Sequence, residues 1–131
     1  DLINLKTKIE AGADFITTQL FFDNQVYFDF VKSCHDIGIT TPVLPGLLPV
    51  LSLGQAQRFC SMCKATLPLL LEKELENADE SNQSAVGSKW TAEQILGLIG
   101  EGAPGYHIYA LNKPQSTLKI LESLGIEKAV V

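Results

Sequence analysis

Ala11-Gly12-Ala13-Asp14-Phe15-Ile16-Thr17-Thr18-Gln19-Leu20-Phe21-Phe22-Asp23 carries a helix end, a turn, a strand and a helix cap in one short run. Gly12 suits the position just past a helix, where a left-handed backbone is needed. Gly12-Ala13-Asp14 is turn chemistry, and Phe15 to Leu20 is mostly β-branched or aromatic, which predicts a short buried strand. Asp23 is a residue type that caps helices through its side-chain oxygen. Upstream, Leu2, Leu5 and Ile9 recur at spacings of three and four, so Asp1 to Ala11 is predicted to be an amphipathic helix. Downstream, Val26, Phe30, Val31, Cys34 and Ile37 keep a helical period until Gly38. The stretch is therefore a helix-to-strand-to-helix step.

The same alternation continues. Pro42 to Pro45, followed by Gly46-Leu47-Leu48-Pro49, predicts a short apolar strand that its prolines keep from being a long central one. Ser52 with Gln55 three residues on has the pattern of a capping box and opens a helix to about Cys63, and Pro68 can start another. Asn77 to Ser84 is polar and acidic and is predicted to be a solvated connection. Ala92, Ile95, Leu96 and Ile99 mark a further helix, Tyr106 to Leu111 a third strand, and Ser116 to Leu124 a last helix before Gly125. Strands alternating with helices predict an α/β protein with a parallel sheet. Three strands are too few for a doubly wound sheet, and 131 residues are about half of the ~250 that a closed eight-stranded barrel takes. No internal boundary or repeat is visible, so residues 1–131 form one unit.

The bulk numbers narrow the function classes. With 131 residues, 46% apolar and 19% charged, the chain has the makeup of a soluble globular domain. A net charge of -5 leaves no basic stripe for nucleic acid or an anionic membrane surface, and the apolar run Leu67 to Leu71 is closed by Glu72-Lys73-Glu74, far short of a membrane span. The odd count of three cysteines, with no signal-like segment ahead of them, predicts reduced thiols and a cytoplasmic setting. Asp1 in place of an initiator Met suggests a piece of something longer.

Few residues carry a chemical signal by themselves. Gln19 falls at the downstream end of the first strand, with Leu20-Phe21-Phe22 beside it. Ligands of parallel α/β proteins lie at the carboxyl ends of strands, where an amide between aromatic walls suits a flat heteroaromatic ring. The same Gln could equally bond its own loop. Asp1, Asn4 and Lys8 share one helical stripe that would meet a ribose and a pyrophosphate, or simply face water. Cys60 and Cys63 form a lone CxxC on an apolar helix and are expected to pack; no metal site is predicted. His35 sits near a helix end, which points to a structural role, while His107 beside Tyr106 and Tyr109 is open. The sequence has no GxSxG, P-loop, HExxH or GxGxxG motif.

Four segments together go further. Asp1-Leu2-Ile3-Asn4-Leu5-Lys6, the Ala11 to Asp23 stretch, Pro45-Gly46-Leu47-Leu48-Pro49-Val50 and His107-Ile108-Tyr109-Ala110-Leu111-Asn112-Lys113 resemble, in this order and spacing, the methylenetetrahydrofolate reductases. The resemblance spans nearly the whole chain. It implies a C-terminal portion of a (β/α)8 TIM barrel, about three βα units carrying strands six to eight. It also implies an oxidoreductase that uses FAD and reduces 5,10-methylenetetrahydrofolate to 5-methyltetrahydrofolate, with NADH or NADPH reducing the flavin first, and a homo-oligomeric parent.

Position by position, the resemblance implies substrate-binding roles for Gln19, Gln55, Phe59 and Lys113, with Gln19 on the pterin and Phe59 stacked on the folate's aromatic ring. It implies cofactor-binding roles for Asp1, Asn4, Lys8 and Tyr109. For Gln55 the folate role competes with the helix cap for one side chain. Thr7 stands where bacterial members often carry Arg, and Lys113 where the family has Arg after Leu-Asn, a point charge in place of a planar fork. The family's proton donor and most of its flavin loops lie in the first five strands, so no catalytic residue is expected within 1–131. Rival readings are a degenerate folate-binding or interaction module without hydride chemistry and, more remotely, another flavin barrel such as a proline dehydrogenase relative. Three strands alone would leave two sheet edges and apolar faces uncovered, so the rest of a barrel is expected elsewhere, or the piece associates.

Overall fold

A computed structural model describes residues 2–110 and 114–125. Its elements run α1 (Leu2–Glu10), β1 (Ile16–Leu20), α2 (Asn24–Asp36), β2 (Val43–Leu47), α3 (Leu53–Cys63), α4 (Leu69–Asn77), a 3-10 turn (Glu80–Asn82), α5 (Gln83–Gly100), β3 (His107–Ile108) and α6 (Pro114–Ser123). The strands form one parallel sheet in the order β1-β2-β3, so each helical crossover returns the chain to the neighbouring position. The alternating α/β pattern is as the sequence predicts.

Local chemistry accounts for the boundaries. Asp23 accepts from the Gln25 amide at 2.9 Å and opens α2, and Gly38, with φ 85°, follows its end. Ser52 caps α3 by accepting from the Gln55 amide at 3.1 Å. The Gln55 side chain reaches back one residue further than in a capping box, accepting from the Leu51 amide at 2.8 Å.

Three expectations shift. β2 continues through Pro45 and Gly46 and lies between the other two strands. Pro45 has no N–H to give the ladder, and the β1–β2 register breaks between Thr17 and Leu20, opposite it. The next amide, that of Gly46, turns to the Thr18 hydroxyl at 2.9 Å. α5 begins at Gln83 rather than near Ala92, because the positions it buries in its first half are Gly87, Ser88 and Thr91, which leave no apolar period. β3 is two residues long, although the Tyr109 amide still donates to Leu47 O at 2.9 Å.

The core has two parts. Phe21, Tyr27, Val43, Leu47, Ile95, Leu98 and Ile120 pack where α2, α5 and α6 cover the sheet. Leu20, Phe22, Leu48, Val50, Ala56, Cys60, Leu71 and Leu75 form a second cluster, in which α3 and α4 cover residues at and beyond the carboxyl ends of β1 and β2. Burial of each such Leu contributes about 1.5–3 kcal/mol. Gly87 of α5 lies against Val50, where an added Cβ would overlap the Val50 carbonyl, so a glycine lets helix and chain approach at that point. β1 is a sheet edge: Phe15, Thr17 and Gln19 are exposed along it. α1 buries no residue.

Candidate functional site

The second core cluster supports the floor of a groove at the carboxyl ends of the strands. Gln19 and Leu20 from β1, Leu48 just past β2, Phe59 and Cys63 from α3, and Tyr109 just past β3 line a space of about 240 Å³. Its walls are mostly apolar, and its polar groups are few and convergent, as in small-molecule sites.

Each wall residue is held by identifiable contacts. Tyr109 donates its hydroxyl to the Thr18 carbonyl at 2.8 Å, joining the end of β3 to β1 across β2. Gly46 makes room for that crossing, since a Cβ there would lie 2.8 Å from the Tyr109 ring and would overlap the Thr18 carbonyl. His107 meets the Tyr109 ring edge-on at 4.7 Å. Phe59 packs half-buried on the cluster, with the Arg58 guanidinium 5.8 Å from its ring centroid, within cation–π range. Cys60, one turn before Cys63, is buried in the cluster; burial, and secondarily Cys63 nearby, push its thiol above the usual range. It is a packing thiol, and the described residues contain no cluster of three or more His, Cys, Asp or Glu able to hold a metal.

Of the residues singled out from the sequence, Gln19, Phe59 and Tyr109 thus share one groove. Gln55 lines a small adjoining crevice with Leu48, Leu51 and Tyr109. The side chains of Asn4 and Lys8 are exposed on α1 and make no hydrogen bond or ion pair among the described residues. An unpaired ammonium and an amide on one stripe are chemically suited to a diphosphate and a ribose hydroxyl. Asp1 and Lys113 lie outside the described residues. Sequence reasoning missed three neighbours of the groove: Arg58, Cys63 as a wall residue, and Thr18 as the hub of the Gly46 and Tyr109 contacts. The adjacency of Arg58 to Phe59 was the only available signal; the other two depend on pairing between strands.

Comparison with known proteins decides the family. The family model for methylenetetrahydrofolate reductase matches residues 1–125. The chain belongs to that family. Among curated methylenetetrahydrofolate reductases, the NADH enzyme 1 of Arabidopsis thaliana is 35% identical over 128 residues, which is 96% of this chain and 22% of the relative. A probable NADPH enzyme of Caenorhabditis elegans is 35% identical over 98% of this chain and 20% of its own length. The Escherichia coli K12 5,10-methylenetetrahydrofolate reductase is 33% identical over 96% of this chain and 43% of its own length. The chain therefore spans less than half of each of these methylenetetrahydrofolate reductases. A solved structure of an uncharacterized protein from Clostridium thermocellum, described as binding two copies of 5-methyl-5,6,7,8-tetrahydrofolic acid, shares the fold with a TM-score of 0.60 at 18% identity, covering 94% of this chain and 47% of that one. Among the described residues no helix is long and apolar enough to cross a membrane.

Proposed function

We propose that this chain is the sixth-to-eighth-strand portion of a (β/α)8 barrel in an FAD-dependent enzyme that reduces 5,10-methylenetetrahydrofolate to 5-methyltetrahydrofolate. The observation that carries the reading is the convergence of Gln19, Phe59 and Tyr109 on one mostly apolar groove at the strands' carboxyl ends, in a chain of this family. A pterin is flat and rich in hydrogen-bonding groups, which suits the Gln19 amide, and the p-aminobenzoate ring suits the face of Phe59. Gln55, in the adjoining crevice, would reach a further part of the folate, and Lys113 would add positive charge on the substrate side.

Bound FAD would supply the hydride chemistry, with NADH or NADPH as the reductant. The exposed Asn4 and Lys8 would hold its ribose and diphosphate, with Tyr109 near the ring system, and Asp1 would join them in binding the cofactor. The acid that protonates the folate would come from the first five strands of the barrel. Those strands would also cover the β1 edge, along which a groove of about 610 Å³ runs between β1, α2 and the Cys63–Pro68 segment.

The test uses the full-length protein. Gln19→Ala should slow folate turnover about 5- to 150-fold, the equivalent of ~1–3 kcal/mol, while flavin reduction by the nicotinamide nucleotide stays near wild type. Equal losses in both half-reactions would make Gln19 a structural residue. A wild-type protein that binds folate without reducing it would instead be an interaction module.

A further inference from the structure

Gln19 sits in a gap of the sheet. The regular β1–β2 pairing breaks between Thr17 and Leu20, so Gln19 takes no part in that ladder. The position of Gln19 therefore depends on what grips the chain on either side of it. Upstream the grip is Thr18, whose hydroxyl accepts from Gly46 and whose carbonyl accepts from Tyr109.

Downstream the grip comes from α5, some seventy residues away in sequence. Trp90 donates its indole N–H to the Phe22 carbonyl at 3.0 Å. Gln94, which is 5% exposed, donates its amide nitrogen to the Phe21 carbonyl at 3.2 Å and to Asn24 Oδ1 at 3.3 Å. Asn24 returns a bond from Nδ2 to the Gln94 backbone carbonyl at 3.1 Å. Gly97, one turn on, leaves room for that amide, since a Cβ there would lie 3.0 Å from Asn24 Nδ2. The Gln94 side-chain oxygen, by contrast, is buried without a partner. An apolar residue would fill the site without that unsatisfied oxygen, so what Gln94 contributes is its donor, aimed at the loop after Gln19.

We infer that Trp90 and Gln94 are positioning residues that clamp the Phe21–Asn24 loop and thereby hold Gln19 in its ligand-facing place. This rests on the reading of Gln19 as a folate-binding residue. It extends the site to a helix that lines no part of the Gln19, Phe59 and Tyr109 groove. Phe21 and Phe22, anchored in the two separate core clusters, transmit the grip along the main chain.

The experiment uses Trp90→Phe, which keeps an aromatic ring and removes the N–H, and Gln94→Met, which keeps length and removes the donor. Both are made in the full-length protein, alone and together with Gln19→Ala. Each single variant should raise the KM for 5,10-methylenetetrahydrofolate about 5- to 20-fold, with nicotinamide-dependent flavin reduction unchanged. In the Gln19→Ala background the same changes should add less than about twofold, because their effect passes through Gln19. Full additivity, or an unchanged KM in the single variants, would overturn the inference. Hydrogen exchange of the peptide covering residues 17–24, measured without folate, gives an independent readout. It should speed up about tenfold or more in either variant, and unchanged exchange would also overturn the clamp. If the wild-type protein does not saturate with folate, the functional reading falls, and hydrogen exchange alone decides the clamp.

Discussion

Gly46→Ala adds one methyl group where three strands meet. Gly46 has no left-handed φ, so the backbone accepts alanine without conformational strain and the effect is steric. The new Cβ would overlap the Thr18 carbonyl and lie 2.8 Å from Tyr109 Cε2 and 3.1 Å from its hydroxyl. Tyr109 can swing, but the Thr18 carbonyl is main chain, so β1 and β2 must separate locally. Overpacking of this kind costs about 1–3 kcal/mol. Moving Tyr109 or Thr18 also breaks their 2.8 Å hydrogen bond, about 0.5–1.5 kcal/mol. The reduced freedom of the unfolded chain offsets about 0.4–1 kcal/mol. The net loss should be about 2–3 kcal/mol, read as a lower urea midpoint with an unchanged m value. Adding Tyr109→Leu should not restore the midpoint, because the carbonyl clash remains. A Gly46→Ala protein within about 0.5 kcal/mol of wild type would refute the reasoning, since it would mean that the strands yield freely at this crossing.

Two other expectations concern the scaffold. Burial pushes the thiols of Cys34 and Cys60 above their ordinary 9.0 and the phenol of Tyr27 above its ordinary 10.0. The fold then holds protons that the unfolded chain has released, so this stability is complete below about pH 9 and is lost as pH rises through the higher folded values. Urea midpoints taken up to about pH 10.5 should fall, and Cys34→Ala or Tyr27→Phe should flatten the decline; an equally steep decline in both would contradict the assignment. Gln83 joins the start of α3 to the end of α4, accepting from the Leu53 amide at 3.1 Å and donating to the Leu75 carbonyl at 3.0 Å. Gln83→Ala should lower the urea midpoint by the equivalent of ~1–2 kcal/mol, and an unchanged midpoint would show that water replaces both bonds.

The parts of the fold that depend on local spacing were legible in the sequence. The period from Val26 to Ile37, the caps at Asp23 and Ser52 and the β-branched run before Gln19 each act within a few residues. The early start of α5 was hidden because the residues it buries there, Gly87, Ser88 and Thr91, are not apolar, and Gly87 serves close approach to Val50. β2 could not be placed between β1 and β3 from its own residues, since Pro45 argues against a central strand until the Thr18 hydroxyl is known to take up the Gly46 amide. At the site, Gln19 stood out by its place at a strand end and Phe59 and Tyr109 through family resemblance, whereas Trp90 and Gln94 act over 68 to 73 residues of separation and left no periodic trace.

The cap on α3 also determines the direction in which the groove's rim can form hydrogen bonds. Gln55 has committed its amide oxygen to Leu51 N–H, so toward a ligand it presents its NH2 and functions as a donor. Tyr109 has committed its proton to Thr18, so it presents oxygen lone pairs and functions as an acceptor. Although both side chains are nominally ambidextrous, the fold has assigned each a fixed polarity. A ring or amide edge presented to this rim must supply a lone pair to Gln55 and a hydrogen to Tyr109, and the same edge turned over would set donor against donor and acceptor against acceptor.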